Sequence, residues 1–84
     1  MKRKLLFGSQ ALRDLRALDP PVAKRMTAAL DRYLETEHGD VKQLSGEEDP
    51  PHFRLRAGDW RILFERRGEE LRVLRILHRS AAYR

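Results

Sequence analysis

The sequence predicts an α+β domain in which a small antiparallel sheet is backed by an N-terminal helical hairpin, in the order β-α-α-β-β-β. Three observations predict it. Between residues 9 and 34 the apolar residues recur at spacings of three and four, the period of a helix buried along one side. From residue 52 the period becomes two, the period of a strand with one face in a core. Between these halves lies a loop-like run, with Gly46, three acids at Glu47, Glu48 and Asp49, and Pro50-Pro51.

Taken in order, residues 3–8 predict a short strand, with Leu5 and Phe7 on one face and Leu6 on the other. Ser9 is a candidate cap for a first helix over 10–18, which carries Leu12, Leu15 and Leu18. Asp19 before Pro20-Pro21 marks a second start. A carboxylate there can accept from free first-turn amides, and proline is tolerated because its missing N–H would go unused. Val22, Met26, Ala29, Leu30, Tyr33 and Leu34 form the buried stripe of this second helix, and Gly39 is its expected stop. After the loop over 40–51, His52, Arg54 and Arg56 alternate with Phe53, Leu55 and Ala57. Gly58-Asp59 makes a turn whose type the dipeptide leaves open. Trp60, Ile62 and Phe64 then alternate with Arg61, Leu63 and Glu65, Gly68 turns the chain again, and 71–77 form a last, mostly apolar strand. In that strand strict alternation groups Leu71, Val73 and Leu77 with Arg75, and Leu74 and Ile76 with Arg72 and His78. The helices should cover Phe53, Leu55, Trp60, Ile62 and Phe64, which leaves His52, Arg54, Arg56 and Arg61 on the opposite face.

The 84 residues suit one domain spanning 1–84. There is no cysteine, so disulfide scaffolds and thiolate metal sites are excluded. No apolar run approaches the roughly 18 residues of a membrane span, and the run after the basic start is too short for a signal-peptide core. A cytoplasmic protein is expected. The net charge of +5 is unevenly placed: residues 1–51 hold nine Lys/Arg and nine acids, whereas 52–84 hold nine arginines, no lysine and four acids. Arginine offers a planar fork of donors, so this half suits phosphate or an acidic partner.

Three blocks, Leu55-Arg-Ala-Gly-Asp-Trp-Arg61-Ile-Leu-Phe64, Ile76-Leu-His-Arg79-Ser-Ala-Ala-Tyr83-Arg84 and Lys42-Gln-Leu-Ser-Gly46, carry a resemblance to the RelE/ParE toxins of type II toxin–antitoxin systems. It covers nearly the whole chain. The resemblance implies a small twisted sheet backed by two helices, a cognate antitoxin as partner, and one of two activities. RelE-like members act as ribosome-dependent endoribonucleases (mRNA interferases), which cleave messenger RNA through its own 2′-hydroxyl. ParE-like members inhibit DNA gyrase and are not nucleases. The RelE-like activity is the favoured expectation, with translation inhibited by cleavage of ribosome-bound mRNA.

Such cleavage needs a base, donors for the charged transition state and an acid for the leaving 5′-oxygen. It needs no metal or other cofactor, and the three histidines at 38, 52 and 78 make no ligand constellation. By resemblance, Arg61 contacts the scissile phosphate, Arg79 stabilises charge and Tyr83 orients the substrate. Arg54 and His52 stand where RelE-like toxins often carry lysines. Arginine cannot give up a proton near neutrality, so Arg54 is expected to hold phosphate. His78 or His52 is then the candidate acid or base. In a regular strand His78 and Arg79 point to opposite faces and His78 is a packing histidine, whereas a bulge or strand end at 78 would bring both into the site. Arg56, Arg75, Lys2 and Lys4 are expected to add contacts to RNA or the ribosome.

Overall fold

A computed structural model describes residues 4–44 and 49–82. The elements are β1 (Lys4–Phe7), α1 (Ser9–Ala17), α2 (Pro20–Thr36), β2 (Asp40–Gln43), β3 (His52–Ala57), β4 (Trp60–Arg67), β5 (Glu70–His78) and α3 (Arg79–Ala82). The α+β class and the helical hairpin stand. The sheet is larger and differently paired, with five strands in the order β1-β5-β4-β3-β2. It is mixed rather than purely antiparallel, because β1 runs parallel to β5 with Leu5 opposite Leu71 and Phe7 opposite Val73. Alternation fixes which side chains share a face but not the direction of a partner strand, which is why the parallel pair was not expected.

Each helix begins where a propensity argument puts it, with altered detail. The N-cap of α1 is Gly8, and Ser9 is already its first helical residue. Asp19 is the N-cap of α2 with prolines behind it, but its side chain makes no capping hydrogen bond. That helix ends at Glu37, left-handed at φ 57°, two residues before Gly39. Gly39 has another use, since a Cβ there would sit 2.8 Å from Leu55 Cδ1. On α1 the buried residue is Ala11, with Leu15 and Leu18 packed beside it, while Leu12 is exposed. A stripe through 11, 15 and 18 is one helical face, and a small residue lets α1 lie close to β5.

The core closes between Met26, Leu30 and Tyr33 of α2 and Leu55, Ile62, Phe64, Leu71, Val73 and Ile76 of the sheet. Phe53 and Trp60 are partly buried at its margin. Phe64 is its centre: its ring lies 5.5 Å from that of Tyr33 and 5.4 Å from that of Phe53. Truncating such a residue to alanine costs about 3–5 kcal/mol. Tyr33 keeps its hydroxyl satisfied at the core edge by accepting from Arg66 Nη1 at 3.0 Å.

Both hairpin turns have two residues, since Ala57 pairs with Trp60 and Arg67 with Glu70. Only the first turn residue is left-handed, Gly58 and Gly68 each at φ 60°. This is the type II′ pattern, which demands glycine first and matches the sheet's twist.

The main departure lies in β5. Phe64 pairs with Val73 but Leu63 pairs with Arg75, so Leu74 is an extra residue and the ladder shifts there. A bulge reverses the alternation beyond it. Ile76 and His78 therefore share the helix-covered face with Leu71 and Val73, opposite Ile62 and Trp60. Leu77 and Arg75 pair with Arg61 and Leu63, on the other side. The grouping expected from strict alternation is corrected accordingly.

Candidate nucleic-acid interface

The face of the sheet turned away from α1 and α2 is laid out by register. Opposed residues in antiparallel strands share a face with Cα atoms about 4.5–5.5 Å apart. One row across the sheet reads Asp40, Arg56, Arg61, Leu77. The next reads Lys42, Arg54, Leu63, Arg75, and a third reads His52, Glu65, Arg72. Period-two alternation in β3 and β4 put these side chains there, as the sequence predicts. The segment 40–43 was expected to be loop. It instead forms an edge strand and adds Lys42 and Asp40 to the face.

The electrostatics follow from these rows. Arg56 faces Arg61 on one side and Asp40 on the other, and its Nε donates to Asp40 Oδ2 at 2.8 Å. Both members of that pair are half exposed, so it is worth at most about 1 kcal/mol. Arg54 faces Lys42 on one side and Leu63 on the other. Like charges directly opposed across strands cost roughly 0.2–1 kcal/mol per pair. Two such pairs, Lys42–Arg54 and Arg56–Arg61, lie side by side on one face. Arg61 is only 5% exposed, and its Nη1 donates to the Trp60 carbonyl at 3.5 Å.

The third row holds a histidine and a carboxylate. His52 Nε2 lies 3.5 Å from Glu65 Oε2, and Glu65 Oε1 lies 3.9 Å from Arg72 Nε. A carboxylate beside an imidazole fixes the orientation of the ring. Glu65 carried no sequence signal beyond its place in the alternation.

The remaining expected residues are dispersed. His78 lies on the opposite face, its ring edge against Trp60 with centroids 5.2 Å apart. Its Nδ1 is 3.0 Å from Ser80 Oγ and accepts from the Ser80 amide at 3.3 Å. Arg79 opens α3 beside the first hairpin turn, where its amide donates to the Asp59 carbonyl at 2.7 Å and its Nε lies 3.9 Å from Asp59 Oδ1. Arg75 Nε and Nη2 donate to Asp14 of α1 at 2.8 and 3.3 Å. That hydrogen bond raises the Arg75 pKa and keeps the guanidinium charged. Lys4 pairs with Glu70, at the end of the sheet where Arg67 also pairs, six residues along β4 from Arg61. At 3.3 Å per residue that is about 20 Å. Tyr83 and Lys2, with Ser45 and Gly46, lie outside the described residues. The structure thus gathers Arg54, Arg56 and Arg61 on one face, sets His52 one row beyond Arg54, and holds Arg79 at the neighbouring turn.

Among the described residues no helix is long and apolar enough to cross a membrane. Across residues 5–83 the chain matches the family described as the ParE toxin of type II toxin–antitoxin systems. It is 27% identical over 85 residues to Toxin RelE3 of Methanocaldococcus jannaschii, covering 95% of this chain and 94% of that one. Its fold is similar to the RelB–RelE antitoxin–toxin complex of Methanococcus jannaschii, with TM-score 0.74, 24% identity and 93% and 94% of the two chains covered. It is also similar to the archaeal RelE–RelB complex of Pyrococcus horikoshii, with TM-score 0.79, 22% identity and 96% and 99% covered. The chain therefore belongs to the ParE toxin family of type II toxin–antitoxin systems, within the RelE/ParE superfamily.

Proposed function

We propose that this toxin is a ribosome-dependent endoribonuclease that cuts messenger RNA through the message's own 2′-hydroxyl. The observation that carries the reading is the pair of cross-strand like-charge contacts, Lys42–Arg54 and Arg56–Arg61, side by side on the sheet face free of α1 and α2. Opposed cations repel across the ladder, and an RNA backbone would bring anions to that face, where a phosphate lying between two arginines receives several charge-assisted hydrogen bonds.

In this reading Arg54 and Arg56 hold the scissile phosphate and its neighbour, Arg61, 5% exposed beside Arg56 in the same row, adds its charge from behind them, and Arg79 adds charge from the turn. His52, oriented by Glu65, takes the 2′-hydroxyl proton. The 2′-oxygen attacks phosphorus, a cyclic phosphate forms, and the 5′-oxygen leaves with a proton from the imidazolium or from water. The guanidiniums stay protonated throughout and stabilise the phosphorane-like charge.

A cognate antitoxin is the second partner in this reading. The solved relatives named above are complexes with RelB antitoxins, and an acidic segment laid across the arginine rows would neutralise the same cations that meet RNA. The matched family is described as the ParE toxin, and the resemblance to ParE-like members favours one other activity, inhibition of DNA gyrase without cleavage.

The test is cell-free translation with purified toxin, mapping 5′ ends on the message. New ends within codons, lost on Arg61→Ala and absent without ribosomes, are expected. An intact message with normal protein output, together with inhibited supercoiling by gyrase, would overturn the reading in favour of the second activity.

A further inference from the structure

The corner where β5 becomes α3 is held by contacts of His78 and of Arg79. The Arg79 amide donates to the Asp59 carbonyl at 2.7 Å, which ties the start of the helix to the first hairpin turn. The His78 ring packs edge-on against Trp60. Its Nδ1 accepts from the Ser80 amide at 3.3 Å and stands 3.0 Å from Ser80 Oγ. His78 is the residue before the first helical position and Ser80 is the second position of α3. A side-chain acceptor reaching the second amide of a helix is the geometry of an N-cap.

We infer that His78 is a positioning residue: it caps α3 through Nδ1 and so fixes Arg79 against the Gly58–Asp59 turn. The inference rests on the nuclease reading only for its effect on cleavage. A backbone amide can only donate, so Nδ1 must present a lone pair and the ring proton must reside on Nε2. The bulge at Leu74 is what makes this arrangement available. Without it His78 would project from the basic face, and the ring could not meet Trp60. His52 is thereby left as the imidazole on the basic face, and His78 acts through the helix it starts rather than on the reacting atoms.

Three variants separate capping from proton transfer. Asparagine places its Oδ1 near the position of Nδ1 and is itself a favoured N-cap. Glutamine extends its amide toward the position of Nε2 instead, and alanine offers neither. Full-length toxin would be labelled with 15N and its imidazole tautomer and Ser80 amide exchange followed by NMR, beside cleavage in the translation assay. The expected wild-type ring is the Nε2–H tautomer. His78→Asn should keep Ser80 amide protection and most of the cleavage rate. His78→Ala and His78→Gln should each lose protection about five- to tenfold, the size of a lost cap, with cleavage falling in parallel. An Nδ1–H tautomer would overturn the inference. So would a His78→Asn toxin that retains Ser80 protection yet is as inactive as His78→Gln, the result expected of an acid or base. If no variant cleaves message, wild type included, but the tautomer and amide pattern are as stated, the cap stands and the nuclease reading fails.

Discussion

Replacing Arg54 by leucine should make the protein more stable and less active at once. Arg54 is half buried in β3, opposite Lys42 and Leu63. For a separation of roughly 6–8 Å between its charged end and that of Lys42, an effective dielectric of about 40–80 gives a repulsion of about 0.5–1.4 kcal/mol. Leucine removes this term, removes a partly desolvated charge, and adds a contact with Leu63 worth a few tenths of a kcal/mol. The gain should be about 0.5–1.5 kcal/mol, or about 3–10 °C in Tm for a domain this size. The same change deletes one charge-assisted bond to phosphate, worth about 1.5–3 kcal/mol, so cleavage should fall about 10- to 150-fold. The salt dependence of RNA binding should flatten by about 0.7 in the log–log slope, one phosphate contact fewer on a single strand. Urea titration, single-turnover cleavage on programmed ribosomes and binding at several salt concentrations measure the three quantities. A destabilised Arg54→Leu protein would refute the reasoning, because the arginine would then be structural. A stabilised protein with unchanged cleavage would refute the phosphate role.

Two further outcomes follow from contacts outside the basic face. Asp14 Oδ2 accepts from both Arg75 Nε and the Ile76 amide, at 2.8 and 2.9 Å, just past the point where β1 stops covering β5. Asp14→Ala should therefore cost about 2–4 kcal/mol by leaving that amide unpaired, while Arg75→Ala, which spares it, should cost only about 0.5–1 kcal/mol. Equal losses in urea unfolding would show that the ion pair, not the amide, matters. Gly68→Ala should cost about 1–2 kcal/mol although no atom lies within 4 Å of the added Cβ, because φ is 60° there. A neutral result in the same titration would show that the turn relaxes to another type.

The residues that face RNA in this reading were legible early because β3 and β4 obey strict alternation. Once Phe53, Leu55, Ile62 and Phe64 go to the core, Arg54, Arg56 and Arg61 have only one other face to occupy. Lys42 and Asp40 were hidden. Asp40–Gln43 holds one β-branched residue in four and forms a strand because β3 offers it an edge, so its signal lies in another segment. His52 could be placed beside the arginines, but not its pairing with Glu65, which depends on the β3–β4 register. Lys4 and Arg75 count as basic residues in any composition. One is carried about 20 Å from Arg61 along the sheet, and the other is tied to a carboxylate 61 residues away.

The sequence by itself determined the α+β class, the two helices and their starts, the arginine-rich face and the toxin family, because each rests on local periodicity, on capping and turn residues, or on contiguous motifs. Tertiary structure alone decided the parallel pairing of β1 with β5, the edge strand β2 and the face on which His78 lies. Those depend on which distant segments meet and on a single extra residue at Leu74. A bulge leaves no mark in composition or period until a partner strand fixes the register, and yet it turns every later side chain of β5 to the other face.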